Sequence, residues 1–451
     1  MNHTNLYTPT DFFAAARDEA EVDNLLNTDV YKFLMLDFIL ANPEYKDLNV
    51  KRQMTIRSKG IRTAEVIPLT ALQEQLEATK SIQWVSEADL SYLRGMTTKK
   101  GIPLFKEETL QFLKTFRLPD YKIGIDATNN YTLEFIWPRS TSTMREIYGL
   151  KIINSLYLYH YIKKAKLSTS EFNQIINESM HRLYQDIAIF KQEPALTFSE
   201  FGTRRSASTD YQRAVFAILS QSIPTQCVGT SNVLLSREFE QNNPKGTNAH
   251  ELRMIPISLH DDPQEIIQRM YDIDRQRAKH FPELAILLPD TYGSSFYFDN
   301  CPDDIAATHT GCRFDSKDPI IAIPEYVEFL KKHNLDPQTK MGIPSDGLTA
   351  QSSIDIFRKH QDKLGLLTFG IGTNLTNNTS GTWPRAEEPF GKFGSFSVVV
   401  KPAEVQRADG SRMSCVKLSD NPTKAVGEKT RVELFKNIFG VAGTQKQDVL
   451  V

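Results

Sequence analysis

Several short runs in this chain combine glycine, hydroxyl and charged side chains in ways that suit phosphate chemistry. EFGTRRSAS (200–208) ends an apolar stretch with two adjacent arginines. Guanidinium forks grip phosphate or carboxylate oxygens in pairs, although surface ion pairing would use the same residues. GIGTNLTNN (370–378) also follows an apolar stretch. Its glycines let backbone N–H groups approach a phosphate, and Thr373 and Asn374 add side-chain donors. PSDGLT (344–349) has the same character. Gly347 permits close approach, and Ser345 and Asp346 fall where a helix start would face an anion or simply be capped. GCRFDSKDP (311–319) groups Arg313 with Asp315 and Asp318. One or two carboxylates plus substrate oxygens suffice for magnesium, and Asp315 equally suits ribose hydroxyls. In GTNAHEL (246–252) His250 is followed by Glu251. A lone histidine is more often a surface or core residue, but in a phosphate-lined site it serves as nucleophile or proton carrier. Two other chemistries fail. Leu375 fills the third glycine position of a dinucleotide fingerprint, and Met254 stands where HExxH needs its second histidine.

Loops of this kind need regular elements to hold them. From about residue 195 an apolar strand, a polar loop and a helix recur: Leu196–Phe201, Thr225–Val228, Leu284–Asp290, Lys340–Ile343 and Leu364–Phe369 each lead into one. That rhythm predicts parallel strands with right-handed crossovers, and ligands then gather at the strands' carboxyl ends. Before it, Met144–Lys166 has helical apolar spacing and predicts a core-packed helix. Strands are expected at Lys51–Arg57, Tyr131–Trp137, Phe396–Val405 and Arg412–Asp420, the last two joined by a turn at Ala408–Ser411. The expected division is an α+β part over 1–145, an α/β part carrying the site over 146–395, and strands and a helix over 396–451 that pack with the first part.

Composition narrows the class. The 451 residues are 40% hydrophobic and 24% charged, which suits a globular chain of more than one packed part. A net charge of −2 gives no general pull toward nucleic acid or anionic membrane. Cys227, Cys301, Cys312 and Cys415 include no CxxC pair, so buried reduced thiols are expected. The first residues lack a basic region followed by an apolar run, and Phe33–Ala41 is too short to span a bilayer. A cytoplasmic protein without nucleic-acid or membrane partners is the expectation.

LLNTDVYKF (25–33), FSEFGTRR, GTSNVLL, GTNAHE, SDGL, FGIGTNLTN, KPAEV and VKLSDNPTK follow one another in the chain. Together, and through most of the chain, they resemble the nicotinate phosphoribosyltransferase family. The resemblance implies an incomplete, TIM-like α/β barrel with an additional α+β domain formed by the N- and C-terminal segments. It implies an enzyme that transfers phosphoribosyl from phosphoribosyl pyrophosphate to nicotinate in NAD biosynthesis, releasing pyrophosphate. It further implies ATP as co-substrate acting through a phosphohistidine, Mg2+, and a homodimer with shared active sites. By resemblance His250 is the phosphorylated residue, with Glu251 and Asp315 beside it in catalysis and Asp315 toward the metal. Tyr31 matches the aromatic stacked on the pyridine ring across a dimer interface. Arg313 and Thr247 match the nicotinate pocket. Gly370, Gly372 and Thr373 match the 5′-phosphate loop, with Asp346 and Gly347 opposite, while Arg57 and Arg204 match positions facing pyrophosphate. Two departures stand out: Lys317 replaces a family glycine in Ser316–Pro319, and Trp137-Pro138 replaces a family acidic residue after Trp. The alternatives are a nicotinamide-specific transferase, whose base pocket tends to carry an acid where Asn248 follows Thr247 here, and a catalytically silent ligand-binding homologue.

Overall fold

The computed structural model describes residues 6–81, 85–246, 248–421 and 424–440. Among them, strands β1 (Asn49–Ile56), β2 (Lys122–Ile125) and β3 (Tyr131–Pro138) come early. Six follow in the middle: β4 (Thr197–Glu200), β5 (Cys227–Thr230), β6 (Ile286–Leu287), β7 (Gly311–Phe314), β8 (Met341–Pro344) and β9 (Leu366–Ile371). β10 (Val398–Gln406) and β11 (Arg412–Ser414) come last. The protein is mixed α/β, with one antiparallel and one parallel sheet.

The antiparallel sheet has the order β11-β10-β1-β3-β2. Its centre joins residues distant in sequence, because β10 pairs with β1 from Val50↔Val405 to Ile56↔Val398. The register skips Ala403, since Lys51 faces Glu404 while Arg52 faces Pro402. A bulge there accommodates a proline that has no N–H to give the ladder. Alternation along β1 buries Val50, Arg52 and Met54. Arg52 thus carries a charge to the inner face, and its partner proves to matter below.

The parallel sheet has the order β5-β4-β9-β8-β7-β6, and the end strands β5 and β6 are not hydrogen-bonded to each other. Parallel neighbours need crossovers, and helices such as Pro319–Lys332 between β7 and β8 and Ala350–His360 between β8 and β9 supply them. The helix Arg145–Lys164 lies against both β10 and the turn at Thr203–Arg205, and every residue from Arg145 to Leu158 is buried. A helix apolar on one stripe only would not be covered all round. This one carries Arg145, Glu146 and Lys151 inward because each finds a partner: Thr79 Oγ1 at 2.5 Å, Lys32 at 2.6 Å and Asn27 Oδ1 at 2.8 Å, respectively.

Two local expectations change. The strand expected through Asp420 stops at Ser414. Beyond it Lys417 and Asp420 turn their side chains to His250 and Ser294, contacts that a continuous ladder would not allow. Ser345 and Asp346 do not open a helix; the helix begins at Ala350, and Thr349 caps it by accepting from the Ser352 N–H. The Ala408–Ser411 turn forms as expected, with the Arg407 N–H donating to Ser411 O at 2.8 Å. All four cysteines are buried and free. No helix among the described residues is long and apolar enough to cross a membrane.

Candidate active site

A polar cleft of ≈170 Å3 opens where the parallel strands end. Phe201, Arg204 and Arg205 enter it after β4, Ser231 after β5, Asp315 after β7, and Ser345 and Asp346 after β8. The opposite wall comes from the other sheet and the chain beyond it: Ser397, Val399, Lys401, Lys417 and Lys424. Tyr31 and Glu146 complete it from the N-terminal part. Tyr31, expected to reach across a dimer interface, therefore lines the cleft of its own chain.

The strand-end loops lock onto one another. The Phe201 N–H donates to Ile371 O at 2.8 Å. A Cβ on Gly202 would lie 1.9 Å from Thr376 Oγ1, and one on Gly370 would lie 2.3 Å from the Phe201 ring, so only glycine allows this approach. Asn374 donates to Leu348 O at 2.8 Å, tying the GIGTN loop to PSDGL. Gly370, Gly372 and Thr373 stand behind Phe201 and Gly202, and neither they nor Gly347 are among the cleft-lining residues, whereas Asp346 is. Thr247 lies outside the described residues.

His250 is buried at the cleft floor. Its Nδ1 lies 3.0 Å from Thr291 Oγ1, and its Nε2 lies 3.0 Å from both Asp315 Oδ2 and Lys417 Nζ. Burial, and then the charge of Lys417, push the imidazole down to about 4, so it is neutral at physiological pH. Asp290 stands 3.8 Å from the same Nε2 and accepts from Ser316 Oγ at 2.6 Å. Arg313 is held by bonds that include those to Ser345 Oγ at 2.9 Å, Asn248 O at 2.9 Å and Asp315 Oδ1 at 2.5 Å. Against the cost of burial, Arg313 first and His250 next hold the Asp315 carboxyl well below the usual carboxylate range.

The cations of the cleft divide into two groups. Lys417 has His250 and Asp290, Lys424 pairs with Asp346, and Arg205 is anchored to Val398 O and Ser397 Oγ, each at 3.2 Å. By contrast, the side chains of Arg57, Arg204 and Lys401 have no hydrogen bond or ion pair with any described residue. Such a wall is built for an anion with several charged oxygens.

Glu251 is the sequence-expected residue that the structure turns away. Its carboxylate points behind the cleft and is bonded to Arg52, Thr143 and Lys32, and Lys32 also reaches Glu146 at 2.6 Å. Burial alone would raise this carboxyl, but Arg52 and Lys32 more than offset it and hold it well below the ordinary value. Lys317, the departure from the family loop, likewise stays out of the cleft: it bonds Glu325 at 2.6 Å and Ser295 Oγ at 3.0 Å. Asp318 caps the helix at Pro319 by accepting from the Ile320 N–H.

The model of the nicotinate phosphoribosyltransferase (NAPRTase) family matches residues 196–442, more than half of the chain. The chain belongs to the nicotinate phosphoribosyltransferase family. Solved structures agree in fold. A nicotinate phosphoribosyltransferase from Vibrio cholerae superposes with a TM-score of 0.80 at 24% identity, covering 96% of each chain. One from Porphyromonas gingivalis gives 0.76 at 25% identity, covering 93% of this chain and all of that one. Within this NAPRTase frame, sequence reading alone did not single out Lys401, Lys417, Lys424, Glu146 or Asp290. A signal was present for the lysines, since Lys401 interrupts the apolar run VVVKPAEV and Lys417 lies in VKLSDNPTK. Nothing local marked Glu146 or Asp290.

Proposed function

We propose that this protein transfers a phosphoribosyl group from phosphoribosyl pyrophosphate to nicotinate, giving nicotinate mononucleotide and pyrophosphate, in NAD biosynthesis. The observation that carries the reading is the convergence, in one cleft, of unpaired Arg57, Arg204 and Lys401 with Tyr31 and the fixed Arg313. Family membership supports the same activity. The sheet open between β5 and β6 fits an incompletely closed α/β barrel in which such sites sit at the strand ends.

In this mechanism the pyridine nitrogen attacks ribose C1 as the C1–oxygen bond to pyrophosphate breaks. Arg57, Arg204 and Lys401 receive the charge that builds on the departing pyrophosphate. Tyr31 stacks on the pyridine ring, and the Arg313 guanidinium faces the nicotinate carboxylate, which orients the nucleophile. On the family resemblance Gly370, Gly372 and Thr373, with Asp346 and Gly347 opposite, are assigned the 5′-phosphate, although of these only Asp346 lines the cleft, and Thr247 is assigned the base pocket. Magnesium fits the oxygen donors present: Asp315 and Asp290 face the same point, and Asp290 Oδ1 is buried without a hydrogen-bond partner. Bound there with phosphate oxygens, the ion would supply charge neutralisation for the leaving group.

His250 is the proposed acceptor of the γ-phosphoryl of ATP. A neutral imidazole offers a nitrogen lone pair at physiological pH, and the phosphoryl–oxygen bond breaks toward ADP as the phosphoryl–nitrogen bond forms. The new phosphoryl group would bring roughly two negative charges beside Lys417, redistributing its contacts with Asp290. A homodimer in the cytoplasm completes the reading.

The test is a product assay with phosphoribosyl pyrophosphate and magnesium, comparing nicotinate with nicotinamide, each with and without ATP. Nicotinate mononucleotide, made faster with ATP, is the expected product. Mononucleotide from nicotinamide alone would overturn the substrate assignment. His250→Ala should keep basal transfer and lose the ATP stimulation; full stimulation in that variant removes the phosphohistidine.

A further inference from the structure

The cleft wall contains a cation, Lys401, to which the sequence motifs assign no role. Lys401 lies on β10 two residues after Val399, which itself lies two after Ser397, and the side-chain alternation of the strand turns all three into the cleft. The charged groups that act most strongly on its amine are Glu146 on the helix Arg145–Lys164, Lys417 beyond β11, Arg204 after β4 and Arg57 after β1. Three of those four are cations, and the single acid, Glu146, is already held by Lys32 at 2.6 Å. Among the described residues Lys401 has no hydrogen bond and no ion pair. Lys401 is only partly exposed, and holding its ammonium beside three other cations is costly unless an anion completes the site.

We propose that Lys401 binds the substrate polyphosphate directly, as the third unpaired cation of the wall formed with Arg57 and Arg204. The proposal rests on the phosphoribosyl pyrophosphate reading above and adds to it a residue from the opposite sheet. Because β10 is paired along its length with β1, which ends just before Arg57, the strand pair sets the Lys401–Arg57 spacing before any ligand arrives. Arg204 faces them from the parallel sheet. The anion is thus clamped between two sheets, and a compact polyphosphate with oxygens on several sides suits that clamp better than a single carboxylate does.

The arrangement makes anion binding depend on pH. Burial pushes the Lys401 ammonium down to about 7, with Glu146 the opposing charge, so the free cleft holds this amine only partly protonated in neutral solution. Only the charged form attracts phosphate oxygens. The contribution of Lys401 to affinity is therefore full below about 7 and declines as pH rises above it.

The experiment is calorimetric titration of the full chain with pyrophosphate in the presence of magnesium. Lys401→Met should weaken binding about tenfold or more, the loss expected for one charge-assisted bond. Lys401→Arg should bind within about threefold of the wild type, since it restores a permanent cation. Its affinity should also fall less steeply than the wild type's above neutral pH, a difference that a merely structural lysine would not produce. If Lys401→Met does not fold, the wild-type and arginine pH profiles decide the matter between them. Equal pyrophosphate affinity in wild type and Lys401→Met, or identical pH profiles in wild type and Lys401→Arg, overturns the proposal. The product assay separates this from the functional reading. Weakened pyrophosphate binding with no nicotinate mononucleotide removes the substrate assignment and keeps Lys401, whereas product formation with unchanged binding does the reverse.

Discussion

Two charged clusters lie almost back to back in this molecule, joined through Glu146. Behind the cleft, Lys32, Arg52, Glu146, Glu251 and Thr143 form a closed network in which both carboxylates are bonded to cations. On the cleft side, the side chains of Arg57, Arg204 and Lys401 have no hydrogen bond or ion pair with any described residue. Both regions concentrate charge, but they are balanced in different ways. In the rear network both carboxylates are paired within the folded chain, although Arg52 Nη2 is buried without a hydrogen-bond partner, so its residues bear on stability. The front wall is complete only with an anion, so its residues bear on binding. Charge and residue type do not separate the two; the presence or absence of a partner does.

The largest effect should come from breaking the rear network. Glu251→Gln leaves Arg52 and Lys32 without their shared carboxylate and should cost about 3–5 kcal/mol, read as a lower midpoint in urea. The pH dependence sharpens the point. Glu251 is held well below its ordinary value of 4.5, so its contribution is present above that pH and fades as pH falls beneath it. The deficit of Glu251→Gln should shrink in acid by the same course; a deficit constant from neutral pH to about 3 would break the comparison from this side. Arg204→Ala comes next. It should weaken phosphoribosyl pyrophosphate about tenfold or more, while the urea midpoint moves little, because no intramolecular ion pair is lost. A large fall in stability with unchanged KM would place Arg204 with the rear network instead. Lys317→Gly should do least. Its half-buried pair with Glu325 is worth about 1 kcal/mol or less, and KM for nicotinate should stay within about twofold. A large KM change would show that the loop carrying Asp315 depends on this tether.

The loops were legible because their signals are local. A glycine after an apolar stretch, a double arginine at a strand end and a histidine beside an acid can each be read within about nine residues. Glu251 shows the limit of such reading. Adjacent to His250 in sequence, it still belongs to the other cluster, because it opens the helix Glu251–Ile257 and its side chain meets Arg52 from β1. Neighbours in sequence at a helix start diverge by roughly 100° around the axis, so adjacency says little about shared chemistry. The strand expected through Asp420 failed for a related reason. Local apolar alternation favoured an extended ladder, while Lys417 and Asp420 were recruited by groups far off in sequence.

By itself, the sequence determined the alternation of strands and helices, the polar loops at their ends and the family to which those loops belong. These follow from periodicity and turn chemistry within short windows. Only the tertiary structure decided which charges are answered. Lys417 meets His250 across 167 residues, and β10 pairs with β1 from the other end of the chain. A lysine in an apolar strand reads the same whether a carboxylate awaits it or not. Whether it is a structural ion or a ligand is set by what the folded chain brings within a few ångströms.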